Sequence, residues 1–358
     1  MSEARVKRVL AAMEEQGLEQ VLVTDPMSIY YLIEVWNEPF ERFYGLLLKT
    51  NGEHVFFLNR LFRIREDTGL KIVWYTDTDD VPSMVAAYTD HGKILGVDKD
   101  LMASVLLPLM ELGAASGYVN ASEVVDLTRG VKAPDEQEKM RVASRINDQA
   151  MAKFKTLIHE GVTERQVANQ MLHIYLDLGA EGYSFPPIVS FGANAADPHH
   201  EPDDTVVRPG DCVLFDVGCK KDGYCSDMTR TFYYKEVSEY CRSLYETVRK
   251  ASEAAEEKIA PGVVLKDIDD SARSIITEAG YGQYFNHRLG HFIGMTPHEY
   301  GSVSKTNTWE AQPGMIFSIE PGIYLAGDTG VRIEDLVLVT EDGVERLNRF
   351  PKELQIIE

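Results

Sequence analysis

Five residues in the second half of the chain occur in settings typical of metal ligands: Asp216, Asp227, His291, Glu320 and Glu334. Four carboxylates gathered in one cleft would repel one another and resist ionisation unless a cation lay among them. A site made almost entirely of oxygen ligands, with a single imidazole, suits manganese, cobalt or zinc rather than copper or an iron–sulfur cluster. The residue types therefore predict a pair of divalent metal ions, as in a two-metal hydrolase.

A β-hairpin is predicted to bring the two aspartates together. Segments 212–218 and 224–234 have strand patterns, and the turn between them ends in Asp-Gly. If the two-residue loop begins at Lys221, Asp216 lies opposite Asp227; if it begins one residue later, the two are diagonal neighbours. Because side chains alternate along a strand, both registers place the two carboxylates on the same face of the hairpin.

A second hairpin is predicted to pair the two glutamates. Segments 315–325 and 330–340 have strand patterns, and pairing about Gly327 sets Glu320 opposite Glu334. This register requires a loop with an odd number of residues. Acidic side chains inside half-buried strands are costly, so two facing pairs indicate a shared function rather than independent turn or cap residues.

These motifs resemble those of the pita-bread metallopeptidases, which include methionine aminopeptidase, aminopeptidase P, prolidase and non-peptidase relatives such as creatinase. The similarity runs from about Asp126 to the C-terminus, in the family's order and spacing. The loop from Ser190 to His200 resembles the segment that precedes the first metal aspartate in prolidases and aminopeptidases P. The resemblance implies that His199 is the family's substrate-side histidine, with His200 as a second candidate.

The region around His291 adds further matches. His298 keeps the family's seven-residue spacing from His291, and His287 matches aminopeptidase P and prolidase. Phe292 departs from the many members that have a small residue there, and we interpret it as a change in the shape of the substrate pocket. Three aromatic residues near the histidines are candidates for an apolar pocket wall: Phe292, Tyr300 and Phe191.

Hydrolysis by a hydroxide that bridges two metal ions, roughly 3.5–4 Å apart, is the expected mechanism. The resemblance suggests that Glu320 accepts the proton, while His298 or His199 stabilises the developing oxyanion. Arg288 and Arg332 lie beside ligand candidates in the sequence. Each is expected either to bind a substrate carboxylate or to pair with Asp335 or another acidic residue.

The resemblance favours a Xaa-Pro dipeptidase or Xaa-Pro aminopeptidase, with prolidase slightly preferred. The first domain and the segments around His199 and His287 are closer to these enzymes than to methionine aminopeptidase. One alternative is a relative that cleaves a C–N or C–S bond in a small non-peptide substrate. Another is a binding module without chemistry, although the presence of all five ligand candidates argues against it.

Two domains are expected, an α/β domain over residues 1–125 and an α+β catalytic domain over residues 126–358. The first has the helices and strands 2–16, 20–24, 44–49, 54–58, 71–75 and 101–113. Helices of the second are predicted to begin at 135 and end at Gly161, and to cover 163–179, 238–259 and 266–279. The resemblance implies a curved antiparallel sheet with these helices outside it, and a first domain that contributes to a homodimer and to one side of the cleft.

Composition excludes several other classes of protein. The formal charge of −21 is spread over both predicted domains without a basic stripe, which argues against nucleic acid and anionic membranes as partners. The sequence has no transmembrane segment, and its first residues lack the apolar core of a signal peptide. We therefore expect a cytoplasmic enzyme of small peptides, with its four cysteines reduced.

Overall fold

A computed structural model describes residues 2–64 and 68–358 of the chain. Contacts divide the chain into two compact units, Met1–Arg129 and Gly130–Glu358. The domain boundary predicted between residues 125 and 126 falls within a helix that runs from Glu123 to Gly130. No helix in the described ranges is long and apolar enough to cross a membrane.

The first unit is an α/β structure built on a mixed six-stranded sheet. Its strands are β1 (Gln20–Val23), β2 (Gly45–Lys49), β3 (Val55–Asn59), β4 (Lys71–Tyr75), β5 (Ile94–Val97) and β6 (Gly117–Asn120). Its helices are α1 (Glu3–Glu15), α2 (Pro26–Ile33), α3 (Val81–Ala86), α4 (Ala103–Glu111) and α5 (Glu123–Gly130). The strand order is β4-β3-β2-β1-β5-β6, in which β1 pairs with β2 antiparallel and with β5 parallel. The α/β class predicted for this part is confirmed.

Four α-helices of the second unit pack on its sheets: α6 (Pro134–Lys155), α7 (Glu164–Asp177), α8 (Glu239–Lys258) and α9 (Leu265–Glu278). The prediction that the first of them continues to Gly161 is wrong, because α6 ends at Lys155. Ile158 still packs into the same core as the helix. The apolar spacing therefore continues past the helical backbone, and spacing alone could not locate the end.

The second unit has four small sheets. Its strands are β7 (Gly182–Tyr183), β8 (Ile188–Phe191), β9 (Cys212–Val217), β10 (Cys219–Lys221), β11 (Tyr224–Cys225), β12 (Met228–Tyr234), β13 (Gly290–Phe292), β14 (Glu299–Val303), β15 (Ile316–Ile319), β16 (Gly322–Leu325), β17 (Thr329–Arg332), β18 (Asp335–Val339), β19 (Val344–Arg346) and β20 (Ile356–Ile357). The sheet orders are β11-β10-β7, β20-β12-β9-β8, β14-β13-β15-β18-β19 and β16-β17. Pairing is antiparallel throughout these strands except between β12 and β20.

Alternation along β9 separates a core face from the face that carries the site. Val213, Phe215 and Val217 belong to a buried cluster with residues of α6 and α7. Asp216 belongs to the opposite face, where Leu214 packs in a second cluster with residues of α8 and α9. The period of two therefore directs an acidic side chain away from the core of α6 and α7.

The first predicted hairpin adopts the diagonal register. Thr229 pairs with Asp216, which leaves Asp227 two residues along on the same face. The loop is Asp222-Gly223, and both residues have positive φ (49° and 77°), as the two central residues of a type I′ turn require. The structure breaks each predicted strand, so that β9 and β12 form the inner part of the hairpin and β10 and β11 the outer part.

The second predicted hairpin has the register expected from the sequence. Gly322 pairs with Arg332, and Ile319 pairs with Asp335, so the same register places Glu320 opposite Glu334. The loop is centred on Gly327, which has a φ of 76°. Both glutamates lie in breaks of the strands, Glu320 between β15 and β16 and Glu334 between β17 and β18.

Candidate metal centre

A cavity of about 660 Å³ in the second unit brings the predicted site residues together. Its lining includes all five ligand candidates, which are Asp216, Asp227, His291, Glu320 and Glu334. It also includes His199, His287, Arg288, His298 and Arg332. Residues separated by more than a hundred positions in the sequence thus meet around one small space, whose volume falls within the range of small-molecule sites.

His291 presents a nitrogen lone pair to three carboxylates. Its Nε2 lies 3.6 Å from Asp227 Oδ2, 3.5 Å from Glu320 Oε1 and 3.9 Å from Glu334 Oε1. Its Nδ1 donates to the backbone carbonyl of Phe292 at 3.2 Å. Burial lowers the pKa of His291 well below its usual value, and His298 lowers it further. A neutral imidazole whose Nε2 faces carboxylates has the form of a metal ligand.

Among the ligand candidates, three buried carboxylate oxygens accept no hydrogen bond from the described part of the chain. They are Asp216 Oδ1, Asp227 Oδ1 and Glu334 Oε1. The other oxygens of two of these groups are occupied, since Arg332 Nη2 donates to Asp216 Oδ2 at 2.6 Å and Thr229 Oγ1 to Glu334 Oε2 at 2.7 Å. Buried polar atoms in native proteins are nearly always satisfied. The unpartnered oxygens, gathered beside a neutral histidine, therefore fit divalent cations.

Three acidic residues of the cluster, Asp227, Glu320 and Glu334, hold protons more tightly than isolated carboxyl groups do. Burial, followed by the charges of Glu334, Asp216 and Glu320, raises the pKa of Asp227 well above its usual value. Burial and the charge of Glu320 likewise raise the pKa of Glu334. Burial raises the pKa of Glu320 to about 7, against the lowering effect of Arg332. The metal-free cluster is thus partly protonated at neutral pH.

Metal uptake is therefore expected to release protons. A group with a raised pKa keeps its proton until the pH rises through that pKa, so metal competes with protons at and below about pH 7. We expect tighter binding of Mn at pH 8 than at pH 6. Calorimetric titration of metal-free protein, in two buffers of different ionisation enthalpy, counts the protons. An identical heat in both buffers would contradict the expectation.

Arg332 is bound within the site rather than free for substrate. Besides its contact with Asp216, its Nε donates to Thr229 Oγ1 at 3.2 Å and its Nη1 donates to the Tyr324 hydroxyl at 3.0 Å. The side chain is 3% exposed. Of the two roles considered for this residue, pairing with an acidic residue is the one observed, with Asp216 as the partner.

Pairing of Arg332 with Asp335, which was one expectation from the sequence, is contradicted. Asp335 instead binds Arg230 Nη2 at 2.7 Å and Lys352 Nζ at 2.8 Å, in a fully buried group behind the strands. Adjacent residues of an extended chain point to opposite sides, and Asp335 follows Glu334, which faces the cavity.

His287 is a neutral residue fixed in the cavity wall. Its Nδ1 donates to the Arg288 carbonyl at 2.7 Å, and its Nε2 accepts from the Tyr324 hydroxyl at 2.9 Å. Burial, with smaller contributions from the charges of Arg332 and Arg273, lowers the pKa of His287 to about 4. Tyr324 thereby connects His287 to the Arg332–Asp216 pair.

His298 lies against His291, with ring centroids 4.0 Å apart. Arg288 Nη2 lies 3.3 Å from His298 Nδ1, and because a guanidinium only donates, Nδ1 accepts and the proton lies on Nε2. Burial and then Arg288 lower the pKa of His298. The buried pair of Lys132 and Glu299, 2.8 Å apart, fixes the chain directly after His298.

The two adjacent histidines of the 190–200 loop face different surroundings. His199 lines the cavity, as the resemblance implied. His200 does not line it, and its Nε2 lies 2.7 Å from Glu164 Oε2. His200 as a substrate-side histidine is therefore excluded by its placement.

The expectation that Phe292 shapes the substrate pocket is corrected by the structure. Phe292 is 1% exposed and packs in the core, with ring centroids 5.5 Å from Phe317 and 6.3 Å from Trp309. Because His291 points to the cavity, the next residue along β13 points away from it. Phe191 is likewise a core residue and Tyr300 is an exposed one, and neither lines the cavity.

Other residues form the apolar wall of the cavity: Phe185, Ile188, Pro198, Pro297 and Tyr324. Reasoning from the sequence missed these five. Two of them were within reach, because Pro198 and Pro297 directly precede His199 and His298 in the sequence.

Comparison with known proteins identifies the family. Residues 138–341 match the metallopeptidase family M24, and residues 5–131 match the creatinase/prolidase N-terminal domain. The chain belongs to metallopeptidase family M24, and the pita-bread catalytic fold expected from the sequence is confirmed. Members of this family depend on metal ions, which agrees with the unpartnered carboxylate oxygens of the cavity.

Three similar proteins cover nearly the whole chain. An uncharacterized peptidase of Staphylococcus saprophyticus is 37% identical over 97% of this chain and 100% of its own. The crystal structure of the dipeptidase PepE from Mycobacterium ulcerans is 33% identical, with a TM-score of 0.93 over 99% of this chain and 97% of its own. A prolidase from Thermococcus sibiricus is also 33% identical, with a TM-score of 0.91 over 99% of both chains.

Proposed function

We propose that this metallopeptidase is a Xaa-Pro dipeptidase that works with two divalent metal ions. Asp216, Asp227, His291, Glu320 and Glu334 would hold the ions, with Mn as the preferred metal and Co or Zn as alternatives. The observation that carries the proposal is the set of unpartnered carboxylate oxygens facing the same cavity as a histidine lone pair. The likeness to a dipeptidase and to a prolidase supports it.

The residues around the ligands have separate tasks in this proposal. When bound, the metal ions would supply Lewis acidity towards water and the scissile carbonyl. Glu320, which accepts a hydrogen bond from Ser318 Oγ at 3.2 Å, would take the proton of the attacking water. His298, with its proton on Nε2, and His199 would donate to the carbonyl oxygen as negative charge develops there. Arg332 would hold Asp216 in place.

The apolar wall supports a preference for proline. A peptide bond to proline has no N–H, and the ring is rigid and apolar. Phe185, Ile188 and Tyr324, together with the two wall prolines, offer apolar surface beside the ligand candidates. Such a wall accommodates the ring without leaving an acceptor unsatisfied.

Arg288 is the candidate for binding the C-terminal carboxylate of a dipeptide. The donors of Arg332 are engaged by Asp216, Tyr324 and Thr229. Arg288 also lines the cavity, and its side chain contacts the His298 ring. In the described residues no carboxylate forms an ion pair with it. An arginine without a carboxylate partner can donate two parallel N–H hydrogen bonds to the carboxylate of a substrate.

Substitution of this arginine tests the assignment. Arg288→Met is expected to lower kcat/KM for Leu-Pro by about thirtyfold, because a charged partner of the substrate carboxylate is lost. For Leu-Pro amide, which lacks that carboxylate, the change should stay within about threefold. Steady-state kinetics on both substrates at equal metal content gives the comparison. Arg165→Met, which removes an arginine paired with the exposed Asp204, is the control. Equal losses on both substrates would contradict the assignment.

We also propose that the enzyme is a cytoplasmic homodimer, with residues 1–125 contributing the dimer contact and residues 126–358 the catalytic domain. The evenly acidic composition and the family's N-terminal domain support this proposal. Light scattering of the purified protein measures the oligomeric state.

A further inference from the structure

The loop between β8 and β9 places His199 in the cavity wall, whereas the next residue, His200, contacts a buried side chain away from the cavity. Pro198 and His199 line the cavity, and the backbone N–H of His199 donates to Asp197 Oδ1 at 3.0 Å. His200 points to the opposite side, where it meets Glu164. Adjacent residues of the loop therefore differ in role: His199 faces the cavity, and His200 is hydrogen-bonded to a buried residue.

Glu164 is a buried carboxylate at the first position of α7, with a side chain that is 0% exposed. Its Oε1 accepts from the Phe191 backbone N–H at 2.7 Å and from Asn194 Nδ2 at 3.0 Å. Its Oε2 accepts from His200 Nε2 at 2.7 Å and from the Asp203 backbone N–H at 3.0 Å. Four donors from both sides of His199 thus converge on one carboxylate.

The hydrogen bonds to Glu164 fix the position of the loop, and the group of residues around Glu164 is not a second metal site. Glu164, His200 and Asp203 have ligand atoms close enough to hold a metal ion. Each oxygen of Glu164, however, already accepts two hydrogen bonds, and Asp203 Oδ1 accepts from the Thr205 backbone N–H. A carboxylate with four donors is satisfied without a cation.

The rest of the loop leaves little freedom for other positions. Residues 192–196 form a 3-10 helix that packs against β17 so closely that a Cβ at Gly330 would lie 1.7 Å from the Ala195 carbonyl. The loop is thus fixed before His199 by this packing and by Asn194, and after it by His200 and Asp203. His199 is the part between these two anchored ends.

We propose that Glu164 and His200 are positioning residues. The hydrogen bond between His200 Nε2 and Glu164 Oε2 holds the preceding residue, His199, at the substrate. The proposal rests on the catalytic role of His199 proposed above. Loss of the His200 donor frees the chain on the C-terminal side of His199, and a catalytic donor displaced by a fraction of an ångström loses much of its effect. The metal ligands lie on other elements and keep their positions.

A double-mutant cycle on the holoenzyme tests the proposal. With Leu-Pro as substrate, His199→Ala is expected to lower kcat by about a hundredfold, and His200→Ala by about tenfold. The double variant should match His199→Ala, because His200 acts only through His199. Metal content by elemental analysis should stay at the wild-type level. His173→Ala removes an exposed histidine of α7 and serves as the control.

Conservative replacements at position 200 keep the test informative even where the alanine variant does not fold. His200→Gln can place an N–H near the position of Nε2 and should restore kcat to within about threefold of wild type, whereas His200→Asn is too short to reach Glu164. A double variant whose losses multiply, or equal kcat values for the Gln and Asn variants, would overturn the positioning role. Wild-type kcat in His199→Ala would instead refute the proposed role of His199 itself.

Discussion

The variants Asp227→Asn and His291→Ala are expected to lose bound metal. Their kcat should fall by more than about a thousandfold, because the Lewis acidity of the metal ions is lost together with the ions. Asp227 Oδ1 has no hydrogen-bond partner in the described residues, and His291 Nε2 faces three carboxylates, so each substitution removes a donor aimed at the proposed ions. Asp216→Asn and Glu334→Gln should behave in the same way. Elemental analysis after dialysis, beside kcat on Leu-Pro, measures both effects.

A matched control separates metal loss from a general effect of removing a charge. Asp204→Asn removes a carboxylate that is 81% exposed and, within residues 2–64 and 68–358, pairs only with Arg165; we expect wild-type metal content and activity from it. Treatment of the wild-type enzyme with a chelator should abolish hydrolysis, and Mn or Co should restore it. Full activity in a preparation that elemental analysis shows to contain no transition metal would contradict the two-metal proposal.

Local turn chemistry explains why the register of each of the two hairpins could be predicted, or narrowed to two choices, from the sequence. Asp222-Gly223 adopts the positive φ angles of a type I′ turn, and Gly327 the positive φ of the second loop. Once a loop is set, the period of two decides which side chains share a face. The placement of Asp216 and Asp227 on one face of the first hairpin, and of Glu320 opposite Glu334 in the second, follows from these short-range rules.

Partners across the fold could not be read from the sequence in the same way. Arg332 binds Asp216, which lies 116 residues earlier, while Asp335, which is close to Arg332 in the sequence, binds Arg230. Phe292 was misplaced for a related reason, because proximity in sequence to His291 does not mean a shared face. Such choices depend on how strands from distant parts of the chain meet.

Short helices were also missed, although a signal was present. In the first unit α2 begins at Pro26, and the Asp25 side chain accepts from the Met27 and Ser28 backbone N–H groups. Asp followed by Pro is a typical helix start. With eight residues, α2 is too short for its apolar spacing to be recognised by period alone.

After bound metal, the residue at the second position of the substrate is expected to have the largest effect on activity, and proline is the preferred residue there. The cavity wall beside the ligand candidates consists of Phe185, Ile188, Tyr324 and two prolines. Against this wall a proline ring buries apolar surface, whereas an alanine in its place fills less of the wall and brings an N–H that must lose its water. We therefore expect kcat/KM for Leu-Pro to exceed that for Leu-Ala by more than about a hundredfold.

The ratio of kcat/KM for Leu-Pro and Leu-Ala, measured on one metal-loaded preparation with Mn and then repeated with Co and Zn, tests the proposed function most directly. Each substrate is followed by release of free leucine, so both values report cleavage after the N-terminal leucine by the same enzyme preparation. The proposal predicts a ratio above about a hundred with the active metal, as expected of a pocket shaped for a proline ring. Equal turnover of the two dipeptides would contradict it in favour of a general aminopeptidase, and no turnover of either would indicate a non-peptidase relative.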